Sequence, residues 1–287
     1  MKPVLRSRDY TVYELDPSPW GYEGVTSAYI VARGSRGFIV DPGFQSTAGR
    51  VLEAARSLGV RVEAVLVTHI HLDHAGGAAY IALAEDAPVY VHPRGARHLA
   101  WPGRLFEAAC SVVGPDAAAS GRPLDLPPSM IIETRDGGCE HIAGVEVCFH
   151  HTPGHASHHQ AISIGDAVFT GDAMGLHYGG CYAPSTPPPL HLDKYIDSVM
   201  LIAGDLRPRV LLYTHHGASW EPRRAAVGLL EELAVWASAG SLGELLERSR
   251  CARMVYEALK TVPYFRGEVE RSLEGIRLYV TRRGGRG

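Results

Sequence analysis

Short runs of apolar residues punctuate the first two thirds of the chain, and helical spacing takes over in the last third. Residues 10–15, 27–32 and 37–40 read as strands parted by turns, and residues 62–67 (Val-Glu-Ala-Val-Leu-Val) as a further strand. Val51, Leu52, Ala55 and Leu58 follow a helical period, and residues 75–84 predict a helix of small side chains. Strand character returns at residues 88–92, and again from 130 to 170, with clear runs at 145–149 and 167–170. Residues 210–213 add one more. The stretch from about 101 to 130, rich in Pro, Gly and Ala, has little periodicity and reads as loop with short helices. After Trp220, three apolar stripes predict helices: Ala225, Leu229, Leu233 and Trp236; Leu242, Leu245 and Leu246; and Val269, Leu273, Ile276 and Val280. Strands alternating with helices make the fold class mixed α/β.

The 287 residues are enough for a large core. A net charge of -3 gives no electrostatic case for a nucleic-acid partner, and no run approaches a membrane span or a signal-peptide apolar region, so the expected location is cytoplasmic. The five cysteines lack any C-x-x-C spacing. They are expected to be free thiols, in keeping with a reducing compartment. Asparagine is absent and only two glutamines occur, which leans toward a thermophilic source; the 25 Arg against 3 Lys fit a GC-rich genome equally well.

The chemistry concentrates at strand ends. Directly after the strand at 62–67, His69, His71, Asp73 and His74 place three imidazoles and a carboxylate within six residues. That mixture suits Zn, Mn or Fe, because neutral imidazole is available near pH 7. Three further clusters follow strand-like runs: Thr152-Pro153-Gly154-His155, Gly171-Asp172-Ala173 and His215-His216-Gly217. His69 and His71, two apart on extended backbone, can point the same way, while Asp73 and His74 at the turn can aim at a second point.

The order H-x-H-x-D-H, P-G-H, G-D-A, T-H-x-G resembles the metallo-β-lactamase-fold superfamily over roughly residues 10–220. Residues 153–159 (P-G-H-A-S-H-H) and 186–189 (T-P-P-P) look most like its glyoxalase II and lactonase side. The resemblance implies a four-layer αβ/βα sandwich at 1–220 followed by a C-terminal helical extension at 221–287. It implies two divalent metal ions, Zn with Fe or Mn as alternatives: His69, His71 and His155 on one, Asp73, His74 and His215 on the other, and Asp172 bridging. It also places Asp41 beneath the site, bonded to ligand histidines, gives His159 a supporting role, and makes Asp73 the group that handles the proton. His215 rather than His216 is the ligand by this pattern. The loop 174–190 is the expected substrate wall, with His177, Tyr178 and Tyr182 as candidate contacts.

The activity implied is hydrolysis of an ester-like bond, a thioester or lactone, by a hydroxide bridging the two ions. The rival is a mononuclear iron oxidoreductase resembling persulfide dioxygenases, which share the fold and the first motif. The partner is a small-molecule substrate, with no nucleic acid and no membrane, and the C-terminal helices are expected to cover the site mouth and contribute to a homodimer.

Overall fold

Two large sheets and a hairpin organise this computed structural model, which describes residues 3–284. The first sheet follows chain order: β1 (Pro3–Arg6), β2 (Thr11–Leu15), β3 (Ala28–Arg33), β4 (Arg36–Val40), β5 (Arg61–Leu66), β6 (Val89–Val91) and β7 (Ile131–Glu133). It is antiparallel as far as β4 and parallel beyond. The second contains β8 (Cys139–Ile142), β9 (Val145–His151), β10 (Gln160–Ile164), β11 (Ala167–Phe169), β14 (Val210–Tyr213) and β15 (Gly217–Ser219), ordered β15-β14-β11-β10-β9-β8. A separate hairpin pairs β12 (Leu176–Tyr178) with β13 (Cys181–Ala183).

Because side chains alternate along a strand, each sheet feeds two cores. Val31, Phe38 and Leu66 of the first sheet meet Phe149, Ile162, Phe169 and Leu212 of the second in the central layer. On the outer face of the first, Ile30, Ile39 and Val65 pack against Val51, Leu52 and Ile81 from helices Ala48–Ser57 and Ala78–Glu85. On the outer face of the second, Val168, Leu211 and Tyr213 join one cluster with Tyr195, Val199, Leu229 and Trp236. Those last four lie on helices Leu192–Met200 and Pro222–Ser238. The result is a four-layer αβ/βα sandwich with C-terminal helices.

Helices Leu242–Arg248, Arg250–Leu259 and Glu268–Gly284 continue from Pro222–Ser238 and contribute Leu245, Val255, Leu273 and Ile276 to the same cluster. The final helix rests on the Thr186 backbone. Thr186 N donates to Ser272 Oγ (3.0 Å), Thr186 Oγ1 donates to the Ser272 carbonyl (2.9 Å), and a Cβ at position 275 would stand 1.8 Å from the Thr186 carbonyl oxygen. Only glycine permits that approach.

The structure departs from the sequence reading in three places. The helix expected over 75–84 is two, Leu72–Ala75 and Ala78–Glu85, parted by Gly76-Gly77. Both glycines sit against other backbone; a Cβ on Gly76 would stand 2.4 Å from the Leu72 carbonyl oxygen. Residues 101–130 hold an eleven-residue helix, Gly103–Val113, and a shorter one, Pro115–Ala119. None of the longer helix's side chains is fully buried; its apolar residues Leu105, Ala109 and Val112 share one face and line a cavity instead. Third, four cysteines are paired, which corrects the expectation of free thiols. Cys139 and Cys148 are cross-strand partners on β8 and β9 and form one disulfide; Cys181 on β13 and Cys251 on the Arg250–Leu259 helix form the other. The first pairing depends on strand register and the second spans 70 residues, so neither leaves a spacing signature. Thiol titration in denaturant without reductant is therefore expected to find a single reactive thiol, Cys110, and all five after reduction. Five thiols before reduction would contradict the pairing.

Among the described residues, no helix is long and apolar enough to cross a membrane.

Candidate metal centre

Four chain segments leave strands at one end of the sandwich and converge. After β5, residues His69 and His71 extend from the strand, and Asp73 and His74 open the Leu72–Ala75 turn of helix. His155 follows β9, Asp172 follows β11, and His215 follows β14. His69, His74, His155, Asp73, Asp172 and His215 are buried; His71 is partly exposed.

Their ligating atoms form two groups. His69 Nε2 lies 3.0 Å from His71 Nδ1, and His155 Nε2 also lies 3.0 Å from it. His215 Nε2 lies 3.2 Å from Asp73 Oδ2, and His74 Nε2 lies 3.5 Å from that same oxygen. Asp172 stands between them: Oδ2 is 3.4 Å from His155 Nε2, and Oδ1 is 3.3 Å from His74 Nε2 and 3.5 Å from His215 Nε2. Ligands at 2.0–2.2 Å around a tetrahedral ion stand about 3.3–3.6 Å apart, so the spacing suits ion binding.

The opposite ring nitrogens explain why these atoms face one another. His74 Nδ1 donates to Asp41 Oδ2 (2.8 Å), His155 Nδ1 to the Ser185 carbonyl (2.9 Å) and His215 Nδ1 to the Val25 carbonyl (3.1 Å). Each proton is thereby held on Nδ1, and the Nε2 lone pair points inward. His74 Nε2 and Asp172 Oδ1 are buried without a hydrogen-bond partner. Converging lone pairs with no proton between them are unfavourable unless a cation intervenes. The donor set and its two unsatisfied atoms could hold metal.

The charge balance agrees. Burial depresses the imidazolium of His69, and burial together with His155 holds His71 at about 3, so both are neutral near pH 7. Burial opposes protonation of His74 as well, but the carboxylates of Asp73, Asp172 and Asp41 outweigh it and leave its pKa well raised, so positive charge, whether a proton or a metal ion, is favoured at its inward nitrogen. Burial would raise Asp73, yet His74 and His215 hold it at about 2. Asp172 is likewise kept well below the usual carboxylate range: burial is outweighed by His155, His215 and His74.

Asp41 and His159 hold the ligand groups from beneath and beside them. Asp41 accepts from Thr68 N (2.8 Å) on Oδ1, and from Thr68 Oγ1 (2.7 Å), Thr214 Oγ1 (2.8 Å) and His74 on Oδ2. Its φ of +46° is a conformation Asp tolerates better than most residues. His159 bonds no ligand side chain. It accepts from the Asp172 backbone N–H at Nε2 (3.0 Å) and donates from Nδ1 to Thr152 Oγ1 (2.8 Å), fixing the peptide that presents the carboxylate. His216 is turned away, its ring stacked on Tyr178. Ser185 was not anticipated; it donates through Oγ to Asp172 Oδ2 (2.9 Å), and nothing in its sequence context marks it.

A cavity of about 370 Å³ opens onto the His71, Asp73, Asp172 and His215 side. His177, Tyr178 and Tyr182, expected as substrate contacts, do not line it. His177 stacks on Tyr182, whose hydroxyl is 2.9 Å from Ser219 Oγ, and Tyr178 lies under His216. The hairpin they form turns these rings away from the cavity, and the wall comes instead from Pro187, Pro188 and Pro189 of the same loop, from the Gly103–Val113 helix, and from Tyr264 and Phe265. Phe265 stands 5.4 Å from the His215 ring. Thus residues beyond 220 reach the site, through a segment in which the sequence marked no chemistry.

Comparison with known proteins follows from this geometry. The family model of the metallo-beta-lactamase superfamily matches residues 21–236, a span that contains all seven converging side chains. The chain belongs to the metallo-beta-lactamase superfamily. Within it, a metallo-beta-lactamase fold-containing protein of Sulfurisphaera tokodaii is 24% identical over 210 residues, covering 72% of this chain and 78% of the relative. A hydroxyacylglutathione hydrolase of Dechloromonas aromatica is 28% identical over 188 residues, 66% of this chain; the match spans only 56% of that enzyme. Among solved structures, a superfamily protein from Thermus thermophilus aligns with a TM-score of 0.70 at 22% identity, covering 95% of this chain and 94% of that one. The superfamily is the level these likenesses establish, with hydroxyacylglutathione hydrolases among its members related to this chain.

Proposed function

We propose that this superfamily member is a dinuclear metal-dependent hydrolase of an ester-like carbonyl bond, a thioester or a lactone. The observation that carries the reading is the orientation of Asp172, one oxygen toward each ligand group. A second set of ligating atoms, from Asp73, His74 and His215, stands on the far side of that carboxylate, where a second ion would be held. Two ions held there would supply Lewis acidity and a water acidified to near neutral pH. Zn fits the His-rich donor set, and Fe or Mn fit the same ligands.

The chain's own groups then have definite tasks. Asp172 fixes the separation of the two ligand groups, and Ser185 and His159 fix Asp172. Asp73 faces the cavity as well as His215, which lets its carboxylate orient a water and pass its proton onward. His158, kept neutral at about 2 by burial and by its neighbours His71 and His155, lines the cavity beside His71 as an uncharged polar contact.

The test is oxygen uptake on a persulfide measured beside anaerobic turnover of a thioester and a lactone, with Zn- and Fe-loaded protein. Anaerobic hydrolysis by the Zn form is expected, since Zn has no redox chemistry. Oxygen-dependent turnover confined to the Fe form, with no hydrolysis by either, would replace this reading with the dioxygenase one.

A further inference from the structure

The cavity wall away from the metal ligands is apolar. Leu105, Ala109 and Val112 from the Gly103–Val113 helix line it together with Pro187, Pro188 and Phe265. Among the described side chains that line the cavity, Arg271 is the one Lys or Arg, and its charge is already committed. Its guanidinium donates to Glu268 Oε2 (2.9 Å), to the Arg266 carbonyl (2.6 Å) and to the Tyr264 carbonyl (3.3 Å), which ties the last helix to the turn before it. A carboxylate or phosphate on a substrate would therefore meet apolar walls, Glu268 and the imidazoles of His158 and His191, with no uncommitted Lys or Arg among the described residues that line the cavity to receive it. Burying an unpaired anion in such surroundings is strongly unfavourable.

We propose that the site selects neutral substrates whose acyl part is an apolar chain. The carbonyl lies at the His71 and Asp172 end, and the chain runs between the Gly103–Val113 helix and the Pro187–Pro189 wall. This inference rests on the hydrolase reading above for its chemistry: water adds to the acyl carbon, the C–S or C–O bond breaks, and the leaving thiolate or alkoxide takes a proton. The walls themselves are independent of that reading. Val112 lies at the mouth, lining the cavity while 68% exposed, on a helix with no fully buried side chain. Substituting it leaves the core untouched.

Two measurements separate the inference from the reading beneath it. In the first, Zn-loaded protein is given straight-chain acyl thioesters from acetyl to decanoyl on one leaving thiol, together with a glutaryl thioester. kcat/KM is expected to rise about fourfold per added methylene until the cavity is filled. The glutaryl compound should fall at least ~10-fold below its neutral counterpart of equal length. In the second, metal-free protein is titrated calorimetrically with butanamide, hexanamide and octanamide, which it does not cleave. Affinity should climb with chain length, and Val112→Asp should flatten both slopes. Turnover independent of chain length with no amide binding would overturn the inference and leave the hydrolase reading standing, as would preference for the glutaryl thioester. Amide binding that climbs with length, with no thioester cleaved, would overturn the hydrolase reading and leave the apolar chain site standing. Absence of both would overturn both.

Discussion

Asp172→Ala is expected to lower kcat on an ester-like substrate by at least ~10³-fold, on the scale of losing a main electrostatic element of a preorganised site. It should also release one or both ions. The carboxylate lies within 3.5 Å of ligating atoms on both sides, so its loss removes a contact from each group at once. Alanine also leaves Ser185 Oγ and the inward Nε2 atoms of His74, His155 and His215 without their shared anion, so the two sets of lone pairs lose the charge that would balance cations between them. The fold should survive. Asp172 follows β11, whose own residues belong to the central and outer cores and do not change. Metal analysis, near-ultraviolet dichroism and steady-state kinetics on the same preparation check the prediction together. A variant that keeps two ions and more than a tenth of the turnover would remove Asp172 from the centre of the account.

Asp41→Asn probes the layer beneath and should cost the protein both stability and metal. Asparagine is close in shape and tolerates the positive φ at this position, so the change isolates the acceptor chemistry. In the native protein Oδ2 accepts three hydrogen bonds and Oδ1 a fourth. An amide nitrogen in either place meets a donor, and His74 can comply only by moving its proton to Nε2, the atom that must face the ion. Metal affinity is therefore expected to fall roughly 10–100-fold, the usual effect of losing such a partner. The unsatisfied buried donors add about 1–3 kcal/mol of lost stability each where they cannot rotate away. Competition with a chelator and urea unfolding of the metal-free form measure the two effects separately. Unchanged chelator competition would mean that Asp41 supports the fold alone.

How much of this was legible beforehand depended on how local each feature is. The seven converging side chains sit in short motifs immediately after strand-like runs, and strand ends are where a layered α/β fold exposes backbone for such work, so sequence sufficed to pick them out. Asp41 and His159 were found through family resemblance, but the resemblance did not reveal that His159 acts on the Asp172 peptide rather than on a ligand ring. The cavity wall was misassigned for a different reason. Period-two alternation in the 176–183 hairpin decides which aromatics face the site, and its register depends on the tertiary pairing of β12 with β13. His177, Tyr178 and Tyr182 looked suitable by composition and proximity alone. Conversely, Leu105, Val112, Tyr264 and Phe265 enter the site from other segments of the chain, and they are residues of ordinary type that range from the buried Phe265 to the exposed Val112. Nothing local separates such a residue from any other apolar residue on a helix or turn. The disulfides were hidden likewise, since a cross-strand register and a contact between the hairpin and a late helix create them.

The central claim is that two ions work together at this site. Its most direct test is anaerobic thioester turnover followed as Zn is added stepwise to metal-free protein, with binding recorded in the same titration. The account predicts that turnover grows until two equivalents per chain are bound and then levels off, the second equivalent raising activity well beyond the first. Full activity at one equivalent, with a second ion either unbound or without effect, would contradict it.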